Sequence, residues 1–184
     1  MKKIILLILT FTGFAIANTG MLTSKEEPGM GAWLSYELAT LDSDVDDFEG
    51  SYQINFDYMT TLGLEVGLNI GNDNDNNWKG LELTYHYKSE KWNTALSWNR
   101  KLFDDFDDED QDTLWFTAYS NTAIYGGFGG LSVNGGDYEF DLIKIGKIWT
   151  FETGMSTGIA YWASFASDAG FDKGILSIDL GYAF

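Results

Sequence analysis

Residues 175–184 read Ile-Leu-Ser-Ile-Asp-Leu-Gly-Tyr-Ala-Phe, with a large apolar side chain at every second position from Leu176 onward. On an extended chain Leu176, Ile178, Leu180, Tyr182 and Phe184 share one face, and Ser177, Asp179, Gly181 and Ala183 share the other. A period of two marks a strand with one apolar and one polar side. In a soluble sandwich the apolar side turns inward to a core. When the pattern fills a whole chain, it can instead turn outward to lipid, with the polar sides gathered inside a closed barrel.

The pattern does recur upstream. Tyr52, Ile54, Phe56 and Tyr58 alternate with Gln53, Asn55 and Asp57. Leu62, Leu64, Val66, Leu68 and Ile70 alternate with Gly63, Glu65, Gly67 and Asn69. Leu81, Leu83, Tyr85 and Tyr87 alternate with Glu82, Thr84 and His86. Further alternating runs occupy 92–99 and 155–164, and Ala32, Leu34, Tyr36 and Leu38 stand against Ser35 and Glu37. Three segments are less regular. Residues 113–120 leave open whether Leu114 and Phe116 or Trp115 and Tyr119 face outward. Gly126, Gly127, Gly129 and Gly130 suggest a bend or a crowded neighbour. The apolar face of 138–149 switches near Leu142-Ile143, which a β-bulge explains.

The expected fold is all-β: a transmembrane antiparallel up-and-down β-barrel. Its ten strands fall at 30–40, 50–59, 62–71, 79–88, 92–102, 113–120, 123–133, 138–149, 154–165 and 174–184, with eight the alternative if the irregular middle pair is misread. An even number brings both ends to one side of the membrane. The connections alternate in length. Long ones are expected at 41–49, 72–78, 103–112, 134–137 and 166–173, and short ones at 60–61, 89–91, 121–122 and 150–153. The long set carries 17 of the 28 acidic residues, as acidic surface loops would.

The N-terminus reads as an export signal. Lys2 and Lys3 precede an apolar stretch from Ile4 to Ile16, and Ala15-Ile16-Ala17 supplies a small-x-small cleavage pattern. Residues 1–17 are therefore expected to be a cleaved signal peptide, 18–29 a periplasmic N-terminal segment, and 30–184 the barrel. The apolar stretch is shorter than the roughly 20 residues a spanning helix needs, and no later stretch reaches that length. Strands must do the spanning, and they must close so that no backbone polar group faces hydrocarbon. The chain has no Cys, hence no disulfide and no thiolate ligand or nucleophile. Its formal charge of −17 repels phosphate backbones and excludes nucleic acid as a partner.

With its signal peptide, its strand–turn–strand–loop rhythm and its terminal Leu180-x-Tyr182-x-Phe184, the chain resembles the small outer-membrane β-barrel proteins of Gram-negative bacteria, the porin-like superfamily. The resemblance covers nearly all of the mature chain and is one of architecture. It implies location in the cell outer membrane, contact with its lipid and lipopolysaccharide, and insertion by the barrel-assembly machinery. Leu180, Tyr182 and Phe184 would then be the C-terminal assembly signal.

Glu37, Asp57, Glu65, Glu82, His86, Asp141, Lys144 and Asp179 fall on faces assigned to the lumen. The plain reading is a paired polar network, because buried charges are usually partnered. The functional reading is an acidic constriction that favours cations. His86 is the only histidine, so a metal centre is thinly supplied and neither a metal nor a cofactor is expected. A lipid- or peptide-hydrolysing site would have to use His86 with Glu82 and Thr84. The acidic runs Asp42–Glu49 and Asp104–Asp112 lack the spacing of a calcium loop and read as solvated surface, or as loose divalent-cation contacts to lipopolysaccharide. Trp78, Trp92, Trp98, Tyr58, Tyr87, Trp149, Phe151 and Phe165 suit interfacial girdles, and Arg100 and Lys101 suit headgroup contacts. The function expected is a small passive, cation-leaning pore or a structural surface protein. The alternative is a surface binding or adhesion module that uses the acidic loops, and a barrel enzyme is the lesser reading.

Overall fold

The computed structural model describes residues 28–40, 51–73, 76–89, 92–104, 110–120, 124–165 and 174–184. Those residues form ten antiparallel strands: β1 (Gly29–Thr40), β2 (Tyr52–Met59), β3 (Leu64–Asp73), β4 (Asn76–Lys88), β5 (Trp92–Phe103), β6 (Gln111–Ser120), β7 (Ile124–Val133), β8 (Glu139–Thr150), β9 (Met155–Ser164) and β10 (Ile175–Ala183). Each strand pairs with its neighbour in sequence, and β10 pairs with β1, so the sheet is an up-and-down barrel without an edge. The ten-strand expectation holds. The expected signal peptide 1–17, all but the last two residues of the expected periplasmic segment 18–29, and most of the long acidic stretches lie outside the described residues.

Pairing preserves the alternation found in the sequence. Leu34 sits opposite Leu180, Phe56 opposite Leu68 and Leu83 opposite Trp98. These outward positions form a continuous apolar surface: Leu34, Phe56, Leu68, Leu81, Leu96, Phe116, Phe128, Ile145, Ile159 and Leu180 are all exposed. Inward positions are buried in turn. The weak segment is resolved as well, with Phe116 facing out and Trp115 and Tyr119 facing in.

Two register shifts bend the wall. On β8 Phe140 and Asp141 together oppose Gly130, between the pairs Gly129↔Leu142 and Leu131↔Glu139. Two residues against one is a β-bulge. It lies just before the Leu142-Ile143 position where the sequence places it. The second shift is on β1 between Glu37 and Ala39.

Two tight turns share one design. In Thr60-Thr61-Leu62-Gly63 the Gly63 amide bonds the Thr60 carbonyl at 3.1 Å, and the Thr60 amide bonds the Leu64 carbonyl at 2.8 Å. Phe151-Glu152-Thr153-Gly154 repeats both bonds at 3.0 and 2.8 Å. Each turn ends on a glycine in the left-handed region, with φ of +78° at Gly63 and +82° at Gly154. Each of these glycines also offers its carbonyl to the next strand, at the amides of His86 and Ala183.

One connection differs from expectation. The long loop placed at 72–78 is mostly strand: β3 runs to Asp73, β4 starts at Asn76, and these two residues pair. Asn72 Nδ2 donates to Asn77 Oδ1 at 3.1 Å across the hairpin. Asn and Asp are favoured in tight turns as well as in long loops, and the polar run hid a short hairpin.

Candidate functional site

The inward side chains of the barrel are the candidate site. A barrel of about eight strands is just filled by ordinary side chains, and ten strands enclose more space. This chain fills it with rings. Trp33, Trp78, Trp115, Trp162, Tyr119 and Tyr125 all point inward and are buried. Four of them lie directly opposite a glycine on the neighbouring strand: Trp33 with Gly181, Trp78 with Gly71, Trp115 with Gly129 and Tyr125 with Gly146. At each of these glycines a Cβ would overlap the ring. The bare backbone thus lets a large aromatic lie flat against the wall and reach into the interior.

Trp78 therefore leaves the girdle to which the sequence assigned it. Lys101 also departs from expectation: its side chain is buried inside, with Nζ 4.6 Å from the centre of the Trp78 ring. A cation over an indole face is held by the ring quadrupole. Lys144 does the same with Trp115, at 4.3 Å. Arg100, one residue from Lys101, faces outward and pairs with Asp110 at 3.5 Å and Asp112 at 4.0 Å. Position parity was the signal that could have found these residues. Trp33 has the parity of Ser35 and Glu37, Trp78 that of Glu82, and Lys101 that of Asn99.

Of the residues assigned to the lumen, Glu37, Asp57, Glu65, Glu82, His86, Lys144 and Asp179 are buried on the inward face. Asp141 is half-buried at the β8 bulge, where it accepts a hydrogen bond from Ser164 Oγ. The polar residues concentrate on β1–β5 and β10, while β6–β9 supply most of the apolar wall through Trp115, Leu131, Leu142, Ile148 and Trp162.

The polar wall is knit along the strands. Glu65 Oε2 and His86 Nε2 lie 2.7 Å apart, both side chains almost fully enclosed. Thr84 Oγ1 donates to Glu82 Oε1 at 2.7 Å and lies 2.8 Å from Ser97 Oγ. Asn99 Nδ2 donates to Glu82 Oε2 at 3.3 Å. Ser35 Oγ donates to Asp179 Oδ1 at 2.6 Å, and Gln53 Nε2 donates to Asn55 Oδ1. Glu82 lies within electrostatic reach of both Glu65 and Lys144.

The hydrolytic grouping considered from sequence does not form. His86 takes its carboxylate from Glu65 on β3, while Thr84 is bonded to Glu82 on its own strand. The other ring nitrogen, His86 Nδ1, is buried without a hydrogen-bond partner, so no hydroxyl is poised beside it. Among the described residues no cluster of three or more His, Cys, Asp or Glu side chains could hold a metal ion.

The terminal triplet lies on the outer surface. Leu180, Tyr182 and Phe184 are exposed, the last two with ring centres 5.2 Å apart, and the Phe184 amide bonds the Met30 carbonyl at 3.0 Å.

No family model matches the chain, and no curated protein matches it either. The solved structures it is similar to include outer-membrane barrel proteins. Among them are Omp33 of Acinetobacter baumannii (TM-score 0.46, 9% identity, 86% of this chain and 99% of that one), the attachment invasion locus protein Ail of Yersinia pestis (0.33, 10%, 86% and 99%), and Neisserial surface protein A (0.30, 15%, 86% and 100%).

Proposed function

We propose that the chain is an outer-membrane β-barrel of a Gram-negative-type bacterium. In this reading it is a side-chain-filled surface scaffold that displays acidic loops and whose residual conductance favours cations. One observation carries the location: a closed barrel with its large apolar side chains outside and its ionisable ones within. Water penalises such a surface, since soluble monomers rarely expose contiguous apolar patches beyond a few hundred Å². Hydrocarbon rewards it, and barrel closure satisfies every ladder hydrogen bond. Tyr58, Tyr87, Trp92, Trp149, Phe151 and Phe165 are exposed near strand ends, as interfacial aromatics would be. The orientation follows from the connections, with the tight turns and the C-terminus toward the periplasm and the acidic stretches toward the medium.

Packing favours the scaffold over an open pore. Gln53, Asn55, Trp115, Trp162, Ser177 and Asp179, drawn from four strands, each have no accessible surface of their own. The cation preference rests on charge. Among the described residues Glu37, Asp57, Glu65, Glu82 and Asp179 are buried on the inward face, against the bases Lys101, Lys144 and His86. Outward-facing Leu180, Tyr182 and Phe184 suit recognition by the barrel-assembly machinery. The acidic loops suit divalent cations that bridge to lipopolysaccharide phosphates, and they keep surface binding as the second reading.

Expression with the leader intact tests the location. The protein should fractionate with outer membranes, require detergent for extraction, and run faster on a gel unheated than boiled. A mature protein that is monomeric and freely soluble without detergent removes the proposal.

A further inference from the structure

Among the described residues, Lys147 is an outward-facing ammonium with no carboxylate in ion-pair reach. It lies on β8 directly opposite Ile124 of β7 and Ile159 of β9, with Ile145 and Trp149 two residues to either side. All four neighbours are exposed on the outer wall, and Lys147 is half-buried among them. The other described basic side chains are placed differently. Lys101 and Lys144 are inside, and Lys88 has a partner of its own at the end of β4. Lys79 and Arg100 pair with Asp104, Asp110 and Asp112 near the long connections. We propose that Lys147 and Trp149 hold the phosphate of an anionic phospholipid in the leaflet on the tight-turn side, an inference that rests on the outer-membrane reading above.

Hydrocarbon does not solvate an ammonium, so a lysine on the apolar wall must carry its charge to the interface. Lys147 stands three residues before the end of β8 at Thr150, where the tight turn follows. Its Nζ lies 5.2 Å from the centre of the Trp149 ring, so the side chain leans toward the turn. Indoles sit at headgroup level, and the ring quadrupole steadies the cation there. The ammonium keeps donors free for an acceptor, and the chain around it supplies no charged one. Glu152 of the adjoining turn forms no pair with it, and residues 121–123, which lead into β7, are Asn, Thr and Ala. A phospholipid phosphate is such an acceptor, and Ile124, Ile145 and Ile159 offer apolar surface to its acyl chains. A headgroup with an ammonium of its own neutralises its phosphate internally, which favours an anionic lipid here. The chain as a whole carries −17, so any preference for anionic lipid must come from a local site.

Full-length mature protein is folded into phosphatidylcholine vesicles that contain a constant fraction of lipid brominated in its acyl chains, either phosphatidylglycerol or phosphatidylcholine. Bromine quenches tryptophan on contact, and exposed Trp149 beside Lys147 is the reporter. Phosphatidylglycerol should be enriched about fivefold over phosphatidylcholine at that contact, the size of one lysine's attraction to an anionic surface. Lys147→Gln should abolish the excess quenching, and Lys147→Arg should keep it. Lys79→Gln removes the same charge from the pair with Asp104 and should also keep it. Heat-modifiable mobility checks insertion first. A chain that never inserts overturns the location and the site together. A chain that inserts but is quenched equally by both lipids, or whose excess survives Lys147→Gln or vanishes in Lys79→Gln, overturns the site alone.

Discussion

At the residue scale the interior is governed by rings laid on glycines. Trp33 and Gly181 are directly opposed across β1 and β10, and any Cβ at 181 falls within the indole. Gly181→Ala should therefore cost about 1–3 kcal/mol by overpacking. Trp33→Ala should cost about 3–5 kcal/mol by leaving a cavity. In the double variant the new methyl no longer meets a ring, so the two costs should not add, and a coupling of about 0.5–3 kcal/mol is expected. Urea unfolding in lipid vesicles measures all four corners of the cycle, and strict additivity would remove the pairing as a source of stability. Half of this was legible in the sequence. Alternation assigned Gly181 and Asp179 to one face, and Glu37, Asp57, Glu65 and Glu82 to the interior. It did not show that Trp78 and Lys101 would follow them, because an indole near a strand end has two good environments, the interface and a glycine-backed interior. Composition cannot choose between them. The cross-strand partner Gly71 does, and partners are known only once register is.

At the element scale the strands were readable because most outward positions are apolar, which gave long runs of alternation. The connections were less so. The 72–78 stretch has the composition of an acidic surface loop, yet Asn72 and Asn77 continue the ladder and bond through their side chains. The tight turns carry a sharper signal in Gly63 and Gly154, whose positive φ glycine adopts most readily. Gly63→Ala faces two penalties: the left-handed backbone, and a Cβ 2.6 Å from the His86 carbonyl oxygen. A destabilisation of about 1–3 kcal/mol is expected, while Leu62→Ala, one residue away and mostly exposed, should stay within about 0.5 kcal/mol in detergent. Equal losses in the two variants would show that the turn tolerates other backbones.

At the scale of the whole molecule, size and charge of the interior act separately. Ten strands enclose room that rings occupy, and on the proposed reading the rings limit conductance. Among the described residues the buried inward carboxylates outnumber the inward cations, and on the proposed reading charge sets the sign of what passes. The two effects are separable by experiment. Trp115→Ala with Trp162→Ala removes two fully buried indoles from the apolar wall and touches none of the five inward carboxylates. Each truncation should cost about 3–5 kcal/mol, so the barrel's heat-modifiable mobility is checked first. In planar bilayers the unmodified barrel should give small or rare conductance steps, and the double variant larger ones. Under a potassium chloride gradient the variant's reversal potential should favour potassium, because Glu37, Asp57, Glu65, Glu82 and Asp179 still face the interior. Steps of equal size in both proteins would mean that the rings do not limit the path. A preference for chloride would mean that the interior carboxylates are neutralised by their partners, and that filling and electrostatics serve stability alone.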